Sequence, residues 1–268
     1  MSKLLEIKDL CGGYQKDVKV LRHINMSVEQ GEAVGILGLN GSGKSTLGKA
    51  VMNLLPYRSG TIVFNGQDVS TASTHKLAQL GVAMMHQGGT VFPNLSVWQN
   101  LQMAFGTNVD KEYYNQLVEI IPLLQRSQKE LMRTMADKLS GGQRHELALA
   151  MTLARQPKLV VLDEPSAGLS PQAIIEMYSN GDVNMHREIN SSAMCPSTIH
   201  KINGILVEVK RRLNISILLI EQNVALAQSF CDRCVMMENG YLSLSTDYFD
   251  FEHIERHYFN SNLNSAFK

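Results

Sequence analysis

Only four cysteines occur in 268 residues, Cys11, Cys195, Cys231 and Cys234, too few to staple a fold of this size with disulfides. Cys231-x-x-Cys234 has the spacing of half a zinc or redox site, but no second pair accompanies it, and two reduced, partly buried thiols are the simpler reading. Surplus charge is also missing: 25 Lys and Arg stand against 25 Asp and Glu. Nothing in that balance favours a nucleic-acid binder, which displaces phosphate counterions with excess cations, although a local basic patch stays open. No apolar run approaches the roughly 20 residues that cross a bilayer. The opening Met1-Ser2-Lys3-Leu4-Leu5-Glu6 puts an acid where a secretory apolar stretch should continue, so the expectation is a chain without a signal peptide that stays in the cytosol. No internal repeat or low-complexity tract is visible. What remains, with 44% hydrophobic residues, is an ordinary globular composition and enough length to bury a real core.

Periodicity divides that length. Leu5–Leu10 and Val20–Val28 alternate as strands and are expected to form an antiparallel pair around a turn at Gly12-Gly13. Ala33–Leu37 is a short apolar run followed by a glycine-rich loop and a helical pattern over Ser45–Leu55. Thr61–Phe64, Val82–Met85, Leu159–Leu162 and Ile215–Ile220 add further short strands. With helical stretches between several of them, they predict an α/β core on a mainly parallel sheet. Between Pro93 and Arg155 the periodicity is helical throughout, in Val97–Met103, Tyr113–Leu124 and Gly142–Leu153, as expected of a helical subdomain inserted into the core. Residues 179–200 are polar and broken by Asn180-Gly181 and Cys195-Pro196, and Phe251, Ile254, His257 and Tyr258 fall at helical spacing near the C-terminus.

Three motifs carry chemistry. Gly38-Leu39-Asn40-Gly41-Ser42-Gly43-Lys44-Ser45-Thr46 is a full G-x-x-x-x-G-K-[ST] between a predicted strand and a predicted helix. Its glycines let backbone N–H groups curl around the β-phosphate of a nucleotide, Lys44 brings a charge to the β and γ oxygens, and Ser45 offers a hydroxyl to Mg²⁺. Leu159–Leu162 ends in Asp163-Glu164, an apolar strand delivering two acids to its C-terminal edge. Asp163 suits a metal, and Glu164 suits a general base in line with the γ-phosphate. Leu139-Ser140-Gly141-Gly142-Gln143 opens a helix. Taken alone it is a helix cap with two glycines.

With all three in this order, the chain from about Leu4 to Leu244 resembles the ATP-binding subunit of an ABC transporter. The resemblance implies a P-loop NTPase, RecA-like α/β core in residues 1–88 and 156–245 with an N-terminal antiparallel β flank. It also implies a helical subdomain in 89–155 and a C-terminal tail in 246–268. It implies an ATP-sandwich dimer in which Ser140, Gly141, Gly142 and Gln143 of one subunit face the γ-phosphate held by the other. Tyr14 corresponds to the aromatic residue that stacks on adenine, Gln87 to the glutamine that senses Mg²⁺ and the attacking water, and Asp163 and Glu164 to the metal acid and the base. Val91, Phe92, Pro93 and Asn94 correspond to the loop that couples to the transmembrane permease, and Ser166–Ser170 to the loop crossing the dimer interface. The implied protein is an ATPase using ATP and Mg²⁺, peripheral to the cytoplasmic face of the membrane, with a second ATPase subunit and permease subunits as partners and no nucleic acid.

Two departures narrow the resemblance. Glu221-Gln222-Asn223 puts Gln222 where the family usually has a histidine on the γ-phosphate, and Ser170 stands where many members have aspartate. With Val91-Phe92-Pro93 and Met237-Glu238-Asn239-Gly240, both resemble the ATPases of branched-chain amino acid importers, although Gln87 replaces the glutamate common in that subgroup. Gln222 can donate a hydrogen bond but carries no proton near neutral pH, which leaves hydrolysis leaning on Glu164. The stretch from Ser170 to Gln222 is roughly twenty residues longer than one helix and one strand need, so 178–200 reads as a surface insertion, either simply tolerated or an added partner element. Rival readings are a soluble ATPase that assembles a cytosolic complex and a weakly hydrolysing nucleotide-gated switch.

Overall fold

The structure, a computed structural model, describes residues 2–107, 110–125, 129–166 and 196–243. Residues 167–170 of the interface loop, Cys195, residues 178–195 of the insertion expected over 178–200 and the C-terminal periodicity lie outside the described residues, while 196–200 of that stretch begin a helix, Pro196–Leu213.

Two sheets form the core. Strands β1 (Lys3–Gly13), β2 (Leu21–Glu29), β4 (Tyr57–Phe64) and β5 (Gln67–Asp68) make an antiparallel sheet in the order β2-β1-β4-β5. The second sheet runs β10-β9-β3-β8-β7-β6, with β3 (Ala33–Leu37), β6 (Val82–Met85), β7 (Leu159–Asp163), β8 (Ser216–Glu221) and β9 (Arg233–Glu238) all parallel. Only β10 (Tyr241–Leu242) is antiparallel, on the edge. Every residue of β3, β7 and β8 is buried, which is why these strands read as continuous apolar runs rather than alternating ones.

Alternate side chains along the parallel strands enter different cores. Val34, Ile36, Val161, Leu218 and Ile220 pack with the antiparallel sheet and helix α1 (Lys44–Val51). Leu37, Val160, Leu162, Ile217 and Leu219 pack with the helical subdomain and with the helices that flank β8. One sheet thereby joins both halves of the molecule.

Helix α2 (Thr74–Leu80) precedes β6, and the helical subdomain comprises α3 (Val97–Phe105), α4 (Lys111–Ile120), α5 (Pro122–Gln125), α6 (Lys129–Arg133) and α7 (Gly141–Leu153), while α8 (Pro196–Leu213) and α9 (Val224–Phe230) flank β8. The expected single helix over Tyr113–Leu124 is two, because Pro122 disfavours helical backbone at Ile121, which is extended at ψ 110°. Buried Glu146 of α7 accepts from Leu123 N at 2.7 Å and so holds the start of the second piece.

The expected turn at Gly12-Gly13 is corrected. Both residues are in β1, paired with Arg58 and Tyr57 of β4, and the chain reverses after them, with a bridge between Gln15 and Val18. At Gly13 a Cβ would lie 2.1 Å from Val18 O, so glycine is present for close approach of two backbones. The helix expected over Ser45–Leu55 stops at Val51, and Asn53 follows with left-handed backbone (φ 55°).

Candidate nucleotide site

The C-terminal ends of β3, β7 and β8 lie side by side, with Leu37 opposite Glu221 and Asp163 opposite Ile220. The loops leaving these ends therefore converge, although they are far apart in sequence. This is where an open parallel sheet places its ligands.

From β3 the chain enters Gly38–Gly43 and then α1. Gly43 precedes the helix in left-handed backbone at φ 109°, which strains any other residue, and no side chain caps the first-turn amides. No acid stands in that first turn either, so the helix presents N–H donors and a positive end suited to phosphate. Lys44 is buried. Its Nζ donates to Gly38 O at 2.7 Å and Leu39 O at 2.9 Å and stands 4.0 Å from Glu164 Oε1. Burial pushes the ammonium's pKa down, while the carboxylates of Glu164, Glu221 and Asp163 oppose that shift.

Ser45 Oγ donates to Asp163 Oδ1 at 2.8 Å. Burial pushes the Asp163 carboxyl up, against the Ser45 hydrogen bond, leaving a desolvated carboxylate beside a hydroxyl and under a phosphate-binding loop. That set of hard oxygen donors fits a divalent cation such as Mg²⁺. Among the described residues no group of three or more His, Cys, Asp or Glu could hold a metal by itself, so the remaining ligands would be nucleotide oxygens and water.

Glu164 follows with φ 47°, a region L side chains rarely adopt, and its N–H is tied to Ile220 O at 2.8 Å. Both of its oxygens are held by neutral amides: Gln222 Nε2 donates to Oε1 at 2.8 Å and Gln87 Nε2 to Oε2 at 2.9 Å. Gln222 Nε2 also reaches Asn40 Oδ1 of the P-loop at 2.6 Å. The structure thus brings Lys44, Ser45, Asp163, Glu164, Gln87 and Gln222 together. The amides can orient the carboxylate without competing for its proton.

Tyr14 lies beside the same helix. Its hydroxyl is 3.4 Å from Thr46 Oγ1, Lys49 Nζ sits 5.3 Å from the ring centroid, and the side chain is 47% exposed. A solvent-facing ring at this edge is positioned to stack on a base. Tyr14→Ala is expected to raise the KM for ATP about tenfold with little change in kcat, as measured by steady-state phosphate release.

Ser140–Gln143 form no hydrogen bond with the P-loop among the described residues. Ser140 Oγ instead accepts from Gln143 N at 3.3 Å while Gln143 Oε1 accepts from Ser140 N at 3.1 Å, a reciprocal cap that starts α7. A Cβ at Gly141 would meet nothing within 4 Å, so this chain supplies no steric reason for a glycine there.

Two contributions escaped the sequence reading. Asn100, fully buried in α3, ties down the loop before it: its Oδ1 accepts from Phe92 N at 2.8 Å and its Nδ2 donates to the carbonyls of Phe92, Leu95 and Ser96. A polar residue on the apolar face of an amphipathic helix was its only sign. Glu221 was visible as an acid ending an apolar strand, the same pattern as Asp163, but its partners were not.

A strand, a phosphate-binding loop leading into a helix, and two acids at the end of β7, one strand removed from β3 in the same parallel sheet, define the class: a P-loop ATPase with an inserted helical subdomain. The family described as ABC transporter matches residues 21–167, and the chain belongs to that family. Among its relatives, BraG of Pseudomonas aeruginosa, described as a high-affinity branched-chain amino acid transport ATP-binding protein, is 30% identical over 233 residues, covering 87% of this chain and 88% of BraG. LptB of Escherichia coli K12, described as a lipopolysaccharide export system ATP-binding protein, is 27% identical over 263 residues, covering 95% of this chain and 96% of LptB. A solved dimeric ATP-binding cassette, in a post-hydrolysis state with ADP and Pi, shares the fold with a TM-score of 0.68 at 17% identity, covering 90% of this chain and 97% of that one.

Proposed function

We propose that this ATPase powers a transporter as one of two subunits that sandwich ATP, beneath a membrane permease. In this reading Lys44 and the N-terminus of α1 hold the β and γ phosphates, and Tyr14 stacks on adenine. Ser45, Asp163 and Gln87 would hold Mg²⁺, which when bound neutralises the phosphate oxygens. Glu164 takes the proton of the attacking water while Gln87 and Gln222 keep its two oxygens aimed. Ser140 and the start of α7 then supply donors to the γ-phosphate held by the partner subunit.

Gly141 carries the sandwich reading. Its Cβ direction is open in this chain, yet glycine stands where a second subunit's phosphate would approach the backbone. Gly141→Asp separates the two roles. An acid in the first turn favours α7, so the melting temperature is expected to stay the same or rise slightly. The same charge would repel the partner's γ-phosphate, and ATP turnover is expected to fall about tenfold. Turnover equal to that of the unaltered chain would remove the sandwich.

Transport is the output best supported. The backbone joins the loop of Val91–Asn94 to the signature segment: Asp137 N donates to Pro93 O at 3.2 Å and Ala136 N to Leu95 O at 2.9 Å, just before Leu139. Phe92 in that loop is 44% exposed and available to a permease. Among the described residues no helix is long and apolar enough to cross a membrane. In this reading the subunit docks peripherally on a permease at the cytoplasmic face. The triplet Glu221-Gln222-Asn223 and the similarity to BraG favour branched-chain amino acid uptake. The similarity to LptB over most of the chain makes lipopolysaccharide export the alternative that substrate assays must separate.

A further inference from the structure

Glu221 ends β8 with its side chain fully inside the protein, 2% exposed, and takes no part in holding nucleotide. Its carboxylate gathers donors from two loops. Oε1 accepts from Ser166 N at 2.9 Å, two residues after Glu164. Oε2 accepts from Gln222 N at 2.9 Å and Asn223 N at 3.0 Å. All of these partners donate, so the group they fit is an ionised, acceptor-only carboxylate. Burial, the largest influence, acts in the opposite direction and pushes its pKa up.

Ending a strand or starting a helix does not call for this arrangement. The helix that follows, α9 (Val224–Phe230), is capped by Asn223, whose Oδ1 accepts from Leu226 N at 3.1 Å. Ser166 lies 55 positions earlier in the chain, on the loop that leaves the base. A buried carboxylate that spans the two loops has a cost in desolvation, and what it secures is their relative position.

We propose that Glu221 is a positioning residue for hydrolysis: it joins the loop leaving Glu164 to the loop carrying Gln222, so that the base and the amide that aims it are held as one unit. This rests on the reading of Glu164 as base and Gln222 as its orienting partner. The side chain touches no reacting atom. It acts through the backbone of Gln222, whose Nε2 contacts both Glu164 and Asn40. In Glu221→Gln the side chain keeps its shape but turns one edge into a donor, facing N–H groups on whichever loop it meets.

The test is a double-mutant cycle on the full chain with Glu221→Gln, Gln222→Ala and both together, reading kcat and KM for ATP, with thermal unfolding alongside. Glu221→Gln is expected to lower kcat about tenfold with KM within about twofold. Because Glu221 acts through Gln222, the double variant is expected to be no slower than the slower single one. Independent losses that multiply, an unchanged kcat, or a loss carried by KM would overturn the proposal. If Glu221→Gln does not fold, Glu221→Asp enters the same cycle, since it keeps the charge on a stem too short to reach both loops. Glu164→Gln and Gln222→Ala also serve as controls: if either leaves kcat unchanged, the reading of the site fails. If both lower it and Glu221→Gln acts independently, only the positioning role fails.

Discussion

Replacing Glu164 by glutamine is expected to lower ATP turnover by about 10³-fold while ATP binding changes less than about twofold. The substitution keeps the size of the side chain but removes its ability to accept a proton from water. It also disturbs the clamp around it. Glu164 receives one N–H donor on each oxygen, from Gln222 at 2.8 Å and Gln87 at 2.9 Å, and a glutamine there can satisfy only one of them. The phosphate-binding side of the site remains, because Lys44 and the first turn of α1 do not depend on the base for their position. Phosphate release and nucleotide binding, measured on the same preparation, separate the two effects. Undiminished turnover would mean that Glu164 is not the base.

Lys44→Met is expected to weaken ATP binding and lower turnover, each about 10²-fold. Methionine keeps an unbranched apolar stem in the buried slot and deletes the charge. Three carboxylates, those of Glu164, Glu221 and Asp163, act on Lys44 and favour its cationic form. Without the ammonium their negative field is uncompensated where phosphates would bind, and the loss exceeds that of one hydrogen bond. Titration of the variant with ATP, read by fluorescence or calorimetry, checks the binding half. Affinity close to that of the unaltered chain would show that the helix N-terminus alone holds the nucleotide.

The parts of this site that were legible in the sequence are the contiguous ones. Gly38–Thr46 and Asp163-Glu164 each pack their chemistry into a few adjacent residues, and a glycine loop or an acid-ended apolar strand has one obvious geometry. The continuous burial of β3, β7 and β8 was readable for the same reason. What stayed hidden depends on contacts between distant positions. Gln222 and Asn40 are 182 residues apart and Glu221 and Ser166 are 55 apart, and no periodicity encodes such pairs. Local signals also misled where tertiary packing prevailed. Gly12-Gly13 has the composition of a turn, yet both glycines serve a strand that another backbone approaches closely, and Pro122 divided a stretch whose apolar spacing was that of a single helix.

The triplet at 221–223 acquires a physical sense from this geometry. With a glutamine at position 222, the Glu164 carboxylate is met by two neutral amides rather than by a histidine. Such a site demands fixed positions rather than matched protonation states, and the buried carboxylate at 221 meets that demand.

The measurement that bears most directly on the account is purification of the tagged chain from detergent-solubilised membranes of its native cell, with mass spectrometric identification of what accompanies it. Polytopic permease subunits in fixed ratio to the ATPase are expected, and their identity would choose between amino acid uptake and lipopolysaccharide export. Recovery from the soluble fraction alone, with cytosolic partners or with none, would contradict it.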